Sequence, residues 1–312
     1  MTRINRIVIV LAAAALIGAG CAATSTKSLT ENSPMPLPSY RTGSTFVYSD
    51  GSWETVTEAS PQQVSWRNHR GNTSSGLSDF TYRRSTWRNR TRQGTRSFAP
   101  RSDVMFKGTM SLWPLRIGNE ARYTETGSWR ETGQPERSYK THWTVTVVGT
   151  ERVAVMAGEF DTWKIIGKRY YTSPTSLRSY LKEIKTWYYA PTAGHWILST
   201  TEYQYDKPSR RLELLAVLPP SGSLSDDARE HMEKTFQQVM EHHKSGQPLA
   251  WVTPQEGIAG EILPMGTFQL GNGTFCRRYI QRISLPDDGQ RQYFGLAFRD
   301  DSGRWYVPRR GK

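Results

Sequence analysis

The 312-residue sequence is poor in several features that would narrow its chemistry. It has two cysteines, Cys21 and Cys276, too few for a disulfide framework. Its longest apolar run, residues 7–17, falls short of the ~20 residues a membrane-spanning helix needs. The later strand-like segments carry Arg and Lys on both faces, which argues against a lipid-facing barrel. Six histidines (69, 142, 195, 231, 242, 243) are scattered, and no His-Glu-x-x-His, Cys-x-x-Cys, Gly-x-Ser-x-Gly or phosphate-loop pattern occurs. The neighbours His242 and His243 would face different directions on a helix, so no metal site is predicted. Cys276 has Arg277 and Arg278 beside it to lower its pKa but no identifiable base, so it is not assigned as a nucleophile. No catalytic residue, cofactor or metal follows, and the expectation is a non-enzyme. With a mean hydropathy of −0.63, the body is one or two domains that lie in water.

What is present begins at the N-terminus. Arg3 and Arg6 precede the apolar run, and Gly18-Ala19-Gly20 lead into Cys21, the three-part layout of a secretory signal peptide. Small residues directly before a cysteine resemble a bacterial lipobox, with Gly18 where that motif has Leu. The resemblance implies that residues 1–20 are removed and that Cys21 is acylated, and Ala22 in place of Asp implies transport to the outer membrane. Burying acyl chains contributes ~0.8 kcal/mol per methylene, so several chains hold a protein that does not itself span the bilayer. Residues 21–43 are rich in Ser, Thr and Pro, including Pro34, Pro36 and Pro38, and read as a flexible tether. Lipidation would consume Cys21 and leave Cys276 without a partner, either buried or free to link two chains.

Acidic residues are also scarce: 28 Asp and Glu against 41 Lys and Arg give a net charge of +13. Residues 67–101 hold nine arginines and one acid, Asp79. Trp66, Tyr82 and Trp87 interleave with them as in a nucleic-acid surface, but export argues against nucleic acid. Lipopolysaccharide, phospholipid head groups or acidic wall polymer are the partners such a surface would meet. Arg84, Arg88, Arg90 and Arg92 would share one face if their segment is a single strand, and form the candidate anion-binding set. The plain alternative is a solvated face that keeps the protein soluble.

Residues 44–218 show short alternating patterns. Trp143, Val145 and Val147 fall on one face and Thr144 and Thr146 on the other, which predicts antiparallel β structure. Strands are expected at residues 44–49, 64–68, 119–129, 140–148, 152–156, 159–170, 181–190, 195–205 and 211–217, without an intervening helix. Turns are expected at Asp50-Gly51, Gly133, Val148-Gly149, Ala157-Gly158 and Pro191 to Gly194. Phe160 and Ile165 are expected to point inward, and a curved sheet of this kind could cradle an acyl chain. Residues 112–118, 148–165 and 187–196 are similar to β-rich envelope domains of bacterial exported proteins.

Pro219-Pro220 marks a boundary between the domain at 44–218 and a smaller one at 219–312. Ser225 can cap a helix with Asp226 and Asp227 in its first turn and Ala228, Met232, Phe236, Val239 and His243 at helical spacing, ending before Gly246. Strands follow near Trp251, at 273–285, at 290–299 and at 304–307. A hairpin turn at Asp287 would set Cys276 opposite Phe298, Tyr279 opposite Gly295 and Ile280 opposite Phe294. Trp251, Gly260, Cys276-Arg277, Tyr279, Gly295, Arg299 and Trp305, with the helix before them, resemble the C-terminal domain of bacterial surface-antigen lipoproteins of the seventeen-kilodalton type, over residues 225–307. Members of that family carry a second cysteine where this chain has Phe298, so the resemblance implies a bridge there that Cys276 cannot make. Cys276, Phe298 and Trp305 are thus assigned structural roles.

The expected fold is mainly β: a large antiparallel β-sheet domain followed by a small α+β domain of one helix and a β-meander. The expected function is a non-enzymatic outer-membrane lipoprotein that serves as an interaction module of the envelope. The alternative is a periplasm-facing carrier of lipid or lipopolysaccharide.

Overall fold

The computed structural model describes residues 34–310, apart from 104–105, 108–109, 173–177, 206, 221, 223 and 287–288. The expected signal peptide, Cys21 and most of the expected tether lie outside the described residues.

The first unit contains β1 (Thr45–Tyr48), β2 (Trp53–Ala59), β3 (Val64–Asn68), β4 (Thr73–Gly76), β5 (Thr86–Arg88) and β6 (Arg92–Pro100). A two-stranded ribbon, β7 (Ser102–Asp103) and β8 (Phe106–Lys107), follows. Then come β9 (Glu120–Glu131), β10 (Arg137–Val155), β11 (Gly158–Thr172), β12 (Ser179–Ala190), β13 (His195–Tyr203) and β14 (Arg210–Leu218). Apart from the ribbon, each strand pairs antiparallel with the next, β6 pairs with β9, and β14 returns to pair with β1. The twelve strands therefore close into a barrel, which leaves no free edge within the ring.

Alternation decides which side chains enter. Ala121, Tyr123 and Glu125 of β9 lie beside their ladder partners Val145, Trp143 and Thr141 of β10, and with Val147 they point into a buried interior. Outward positions of β9, β10 and β11 carry Arg122, His142, Thr144, Lys164 and Lys168, so the outer face of these three strands is interrupted by polar and charged side chains. The interior is partly filled by the β4–β5 connection, where Ser78, Asp79, Thr81 and Tyr82 are buried. Phe80 stacks on Tyr189 at 5.5 Å and Tyr82 on Tyr123 at 4.3 Å.

One expected turn is corrected. The strands expected at 140–148 and 152–156 are one strand, β10, which ends at Val155, because Val148 is extruded as a bulge: Val147 pairs with Ile165, Gly149 with Lys164, and Val148 with no residue of β11. A bulge bends a strand without ending it, which barrel closure requires. β2, β4, β5 and β6 were not anticipated as strands.

The second unit is α1 (Asp226–His242) on a sheet of β15 (Leu249–Thr253), β16 (Ile258–Gln269), β17 (Phe275–Leu285), β18 (Gly289–Arg299) and β19 (Trp305–Tyr306). Ser225 caps the helix by accepting from the Ala228 amide. Thr235 and Met240 are among the buried helix residues, whereas His243, expected on the apolar stripe, is the C-cap and only half-buried, because the helix ends one residue before it. The predicted register of β17 and β18 holds at Cys276↔Phe298, Tyr279↔Gly295 and Ile280↔Phe294, while the turn residues 287–288 lie outside the described residues. The units are joined edge to edge, since β18 pairs with the far side of β14 at Ala216↔Gly295 and Val217↔Phe294.

Candidate functional site

The chain runs up and down the barrel, so the turns after β1, β3, β5 and β9 gather at one end, which forms the mouth. The four predicted arginines do not share a face there, because the turn at Asn89 and Arg90 splits their segment into β5 and β6. Asn89 Oδ1 holds that turn by accepting from the amides of Thr91 (3.0 Å) and Arg92 (2.7 Å). Arg88, Arg90 and Arg92 are exposed at the rim, whereas Arg84 precedes β5 and turns into the barrel.

At the rim, residues distant in sequence complete the cluster. Arg88, Arg90, Arg92 and Arg130 line a pocket of about 410 Å³ between the β5–β6 and β9–β10 turns. Arg92 pairs with Glu131 at 3.0 Å, and Arg92 and Arg137 lie over the Trp129 ring at 5.4 and 5.3 Å. Arg130 and Arg137 were missed because only the β6–β9 pairing brings their hairpin alongside the arginine-rich segment.

Inside the mouth a second charged cluster surrounds Glu125, which has no solvent exposure. Its carboxylate accepts from Tyr139 Oη (2.8 Å) and Trp143 Nε1 (2.8 Å) and pairs with Arg83 (3.2 Å) and Arg96 (3.3 Å). Burial, and then the neighbouring Arg83, hold the Arg96 guanidinium below its ordinary pKa. Across the lumen Arg84 lies 4.1 Å over the Trp66 ring and reaches Glu54 at 3.3 Å, and Glu54 also accepts from Tyr48 Oη at 2.9 Å. On β12, Glu183 is gripped by Arg169 at 2.5 Å.

Lys185, two residues along on the same inward face, lies 5.0 Å from the Trp187 ring centroid, and its amine is lowered to about 8 by burial, with Arg83, Arg210 and Arg84 adding to the effect and Glu183 opposing it. Deeper still, buried His195 contacts Tyr40 Oη at 2.9 Å and Tyr48 Oη at 3.3 Å. Burial, then Arg84 and Lys185, push its pKa well below the ordinary value, so the ring is neutral. A cavity of about 390 Å³ lies among Arg83, Arg84, Arg96, Lys185 and Arg210.

Lys185 and Glu125 were absent from the sequence reading, yet a signal existed. Glu125 continues the phase of Ala121 and Tyr123, and Glu183 and Lys185 that of Trp187 and Tyr189, so each places a charge on the core side of its alternation.

The structural residues of the second unit lie away from the mouth. Cys276 is fully buried with Leu215 and Leu296 in the seam between the units, with Phe298 packed against that cluster, and burial raises its thiol pKa. Trp305 packs with Tyr279 and Met240 and donates Nε1 to Glu241 (2.8 Å), which Arg299 also grips through two bonds of 3.0 and 2.8 Å. Arg278 ties the units together by donating to the Met156 carbonyl (2.8 Å). Among the described residues no group of His, Cys, Asp or Glu is arranged to hold a metal, and no helix is long and apolar enough to cross a membrane.

Comparison with known proteins locates a likeness in the second unit. The 17 kDa surface antigen of Rickettsia prowazekii (strain Madrid E) is 33% identical over 79 residues, covering 25% of this chain and 49% of that protein. The 17 kDa surface antigen of Rickettsia bellii (strain RML369-C) is 30% identical over 86 residues, covering 28% of this chain and 54% of that protein. The chain thus spans about half the length of the curated relatives it matches. Among solved structures, the hypothetical lipoprotein YmcC from Escherichia coli (K12) aligns with a TM-score of 0.36 and 13% identity over 57% of this chain and 84% of that one. Residues 238–306, from the end of α1 through β19, match the family described as 17 kDa outer membrane surface antigen.

Proposed function

We propose that this protein is a non-enzymatic lipoprotein of the bacterial outer membrane, held by acylated Cys21 on the tether of residues 21–43, and that it serves as an interaction module of the envelope. The observation that carries the reading is the similarity of residues 238–306 to an outer membrane surface antigen family. A positively charged rim on an anchored protein would meet anionic surfaces, so lipopolysaccharide, phospholipid head groups or acidic wall polymer are its partners. Cell fractionation tests the anchor. Cys21→Ser moves the protein into the soluble periplasmic fraction, and continued sedimentation with membranes would reject lipidation.

The second reading, a binder of lipid or lipopolysaccharide, is favoured by the rim pocket formed by Arg88, Arg90, Arg92 and Arg130. These side chains suit phosphate groups. Changing Arg88, Arg90 and Arg92 together to Glu weakens salt-sensitive binding to lipopolysaccharide vesicles; unchanged binding would leave the rim as a solvated edge.

A further inference from the structure

The cavity below the rim holds more positive charge than its carboxylates neutralise. Arg83, Arg84, Arg96, Lys185 and Arg210 line it against Glu54 and Glu183. Both carboxylates are already committed, Glu54 to Tyr48 and Arg84, and Glu183 to Arg169. The buried Glu125 behind the wall is shared by Arg83 and Arg96, so one negative charge serves two cations. Arg210 reaches only as far as Asp50 at the rim, 3.4 Å away. Lys185 has no carboxylate in salt-bridge range and no hydrogen-bond partner among the described residues; its one specific contact is the ring of Trp187.

An ammonium drawn inside a barrel without a counter-ion is costly, and the cost is relieved when a ligand brings the opposite charge. The surroundings define that ligand. The cavity of about 390 Å³ adjoins an outer pocket of about 480 Å³, and Glu54, Lys185, Trp196 and Arg210 line both. The outer pocket also contains Asp50, His69 and Arg310, the last fixed at the mouth by its amide donating to the Gly51 carbonyl at 2.9 Å. A path therefore leads from the mouth to Lys185. The charged lining is wrong for an acyl chain, whose burial needs apolar walls, and right for a compact anion.

We propose that the barrel mouth is a binding site for a small anion, whose carboxylate or phosphate group is seated at Lys185 and Arg210 with the positive field of Arg83 and Arg84 behind it. The site is separate from the rim pocket, since none of Lys185, Arg210, Arg83 and Arg84 lines that pocket. It also does not depend on the anchoring reading.

Isothermal titration of the full mature chain at low salt and neutral pH tests it, with glucuronate, glucose 6-phosphate and inorganic phosphate as probes and neutral glucose as control. At least one anion binds and glucose does not, and the pattern among the three tells carboxylate from phosphate recognition. Lys185→Met weakens that binding at least about tenfold, the loss of one charge-assisted contact, while Lys185→Arg retains most of it. Replacement of Arg88, Arg90 and Arg92 by Gln leaves the roughly tenfold dependence on Lys185 in place, which separates failure of this site from failure of the rim. Should Lys185→Met not fold, reductive methylation of the wild type replaces it: the bound anion protects Lys185. Wild-type protein that takes up none of the anions at about 10 mM, equal affinity in Lys185→Met, or a Lys185 that an anion leaves unprotected would each overturn the proposal.

Discussion

Tyr279 covers the bare backbone of Gly295, its direct partner in the β17–β18 ladder, so closely that a Cβ on Gly295 would lie 2.7 Å from Tyr279 Oη. The same added atom would lie 2.7 Å from Ala216 Cβ on the barrel strand β14. The arrangement recurs across directly paired strands: Trp87 lies over Gly94, Tyr139 over Gly127 and Trp251 over Gly260. Each ring covers the gap a strand glycine leaves.

Gly295→Ala is therefore an overpacking change at the join between the two units, pressed by Tyr279 from one side and Ala216 from the other. It lowers stability by about 1–3 kcal/mol, read from the urea midpoint. Tyr279→Phe in the same chain recovers part of the loss by removing the nearest oxygen. A Gly295→Ala midpoint equal to wild type would show that the ring moves aside freely.

Arg277 is buried under the end of α1, where its guanidinium donates to the carbonyls of Val239 (3.2 Å), Met240 (2.7 Å) and His243 (2.5 Å). The Val239 carbonyl already accepts from the His243 amide, so the carbonyls that depend on the guanidinium are those of Met240 and His243. Arg277→Met strands them in a site closed to water and costs about 2 kcal/mol or more. Hydrogen exchange then shows faster opening of the last turn of α1, while the barrel amides stay protected; unchanged exchange there would remove the capping role.

Lys185 gives a pH signature. Its amine titrates near 8 in the folded chain against 10.5 when exposed, because burial disfavours its charged form; Glu183 opposes the shift, and Arg83, Arg210 and Arg84 add to it. Between those values the unfolded chain holds a proton the folded chain has lost, so this group makes stability rise as pH climbs from about 8 to 10.5. At neutral pH the charged amine is a full burden on the fold. Lys185→Met is more stable than wild type at neutral pH, and the gap narrows towards pH 10. The comparison is made as a difference, so the buried tyrosines, which titrate in both proteins, cancel. A gap that does not change with pH would mean that Lys185 is solvated like a surface lysine.

The sequence made the β character, the helix with its Ser225 cap, and the β17–β18 register legible. Alternation, the capping residues and the spacing about residue 287 are local signals, and strands buried on one side preserve them. The closure of the barrel was not legible, because it depends on β1 meeting β14 across most of the chain. β4 and β6 were missed for a related reason. Residues such as Ser74, Ser75, Thr95 and Arg96 are polar on both faces, which reads as loop until the lumen is known to be polar at that level. The arginines were the converse case. Their abundance was visible at once, but Arg84 lies in the β4–β5 connection and turns inward, while the turn at Asn89 leaves Arg88, Arg90 and Arg92 at the rim, where they meet Arg130.

β14 carries β1 on one side and β18 on the other, so the strand that seals the ring also bears the antigen-like sheet. Producing the two pieces on either side of the double proline separately would leave Ala216 and Val217 without their rungs to β18 and bare a raw edge that recruits whatever strand is nearest. Fragments made in this way clump or pair with one another, and an antiserum raised on either piece would see a surface that the whole molecule keeps hidden.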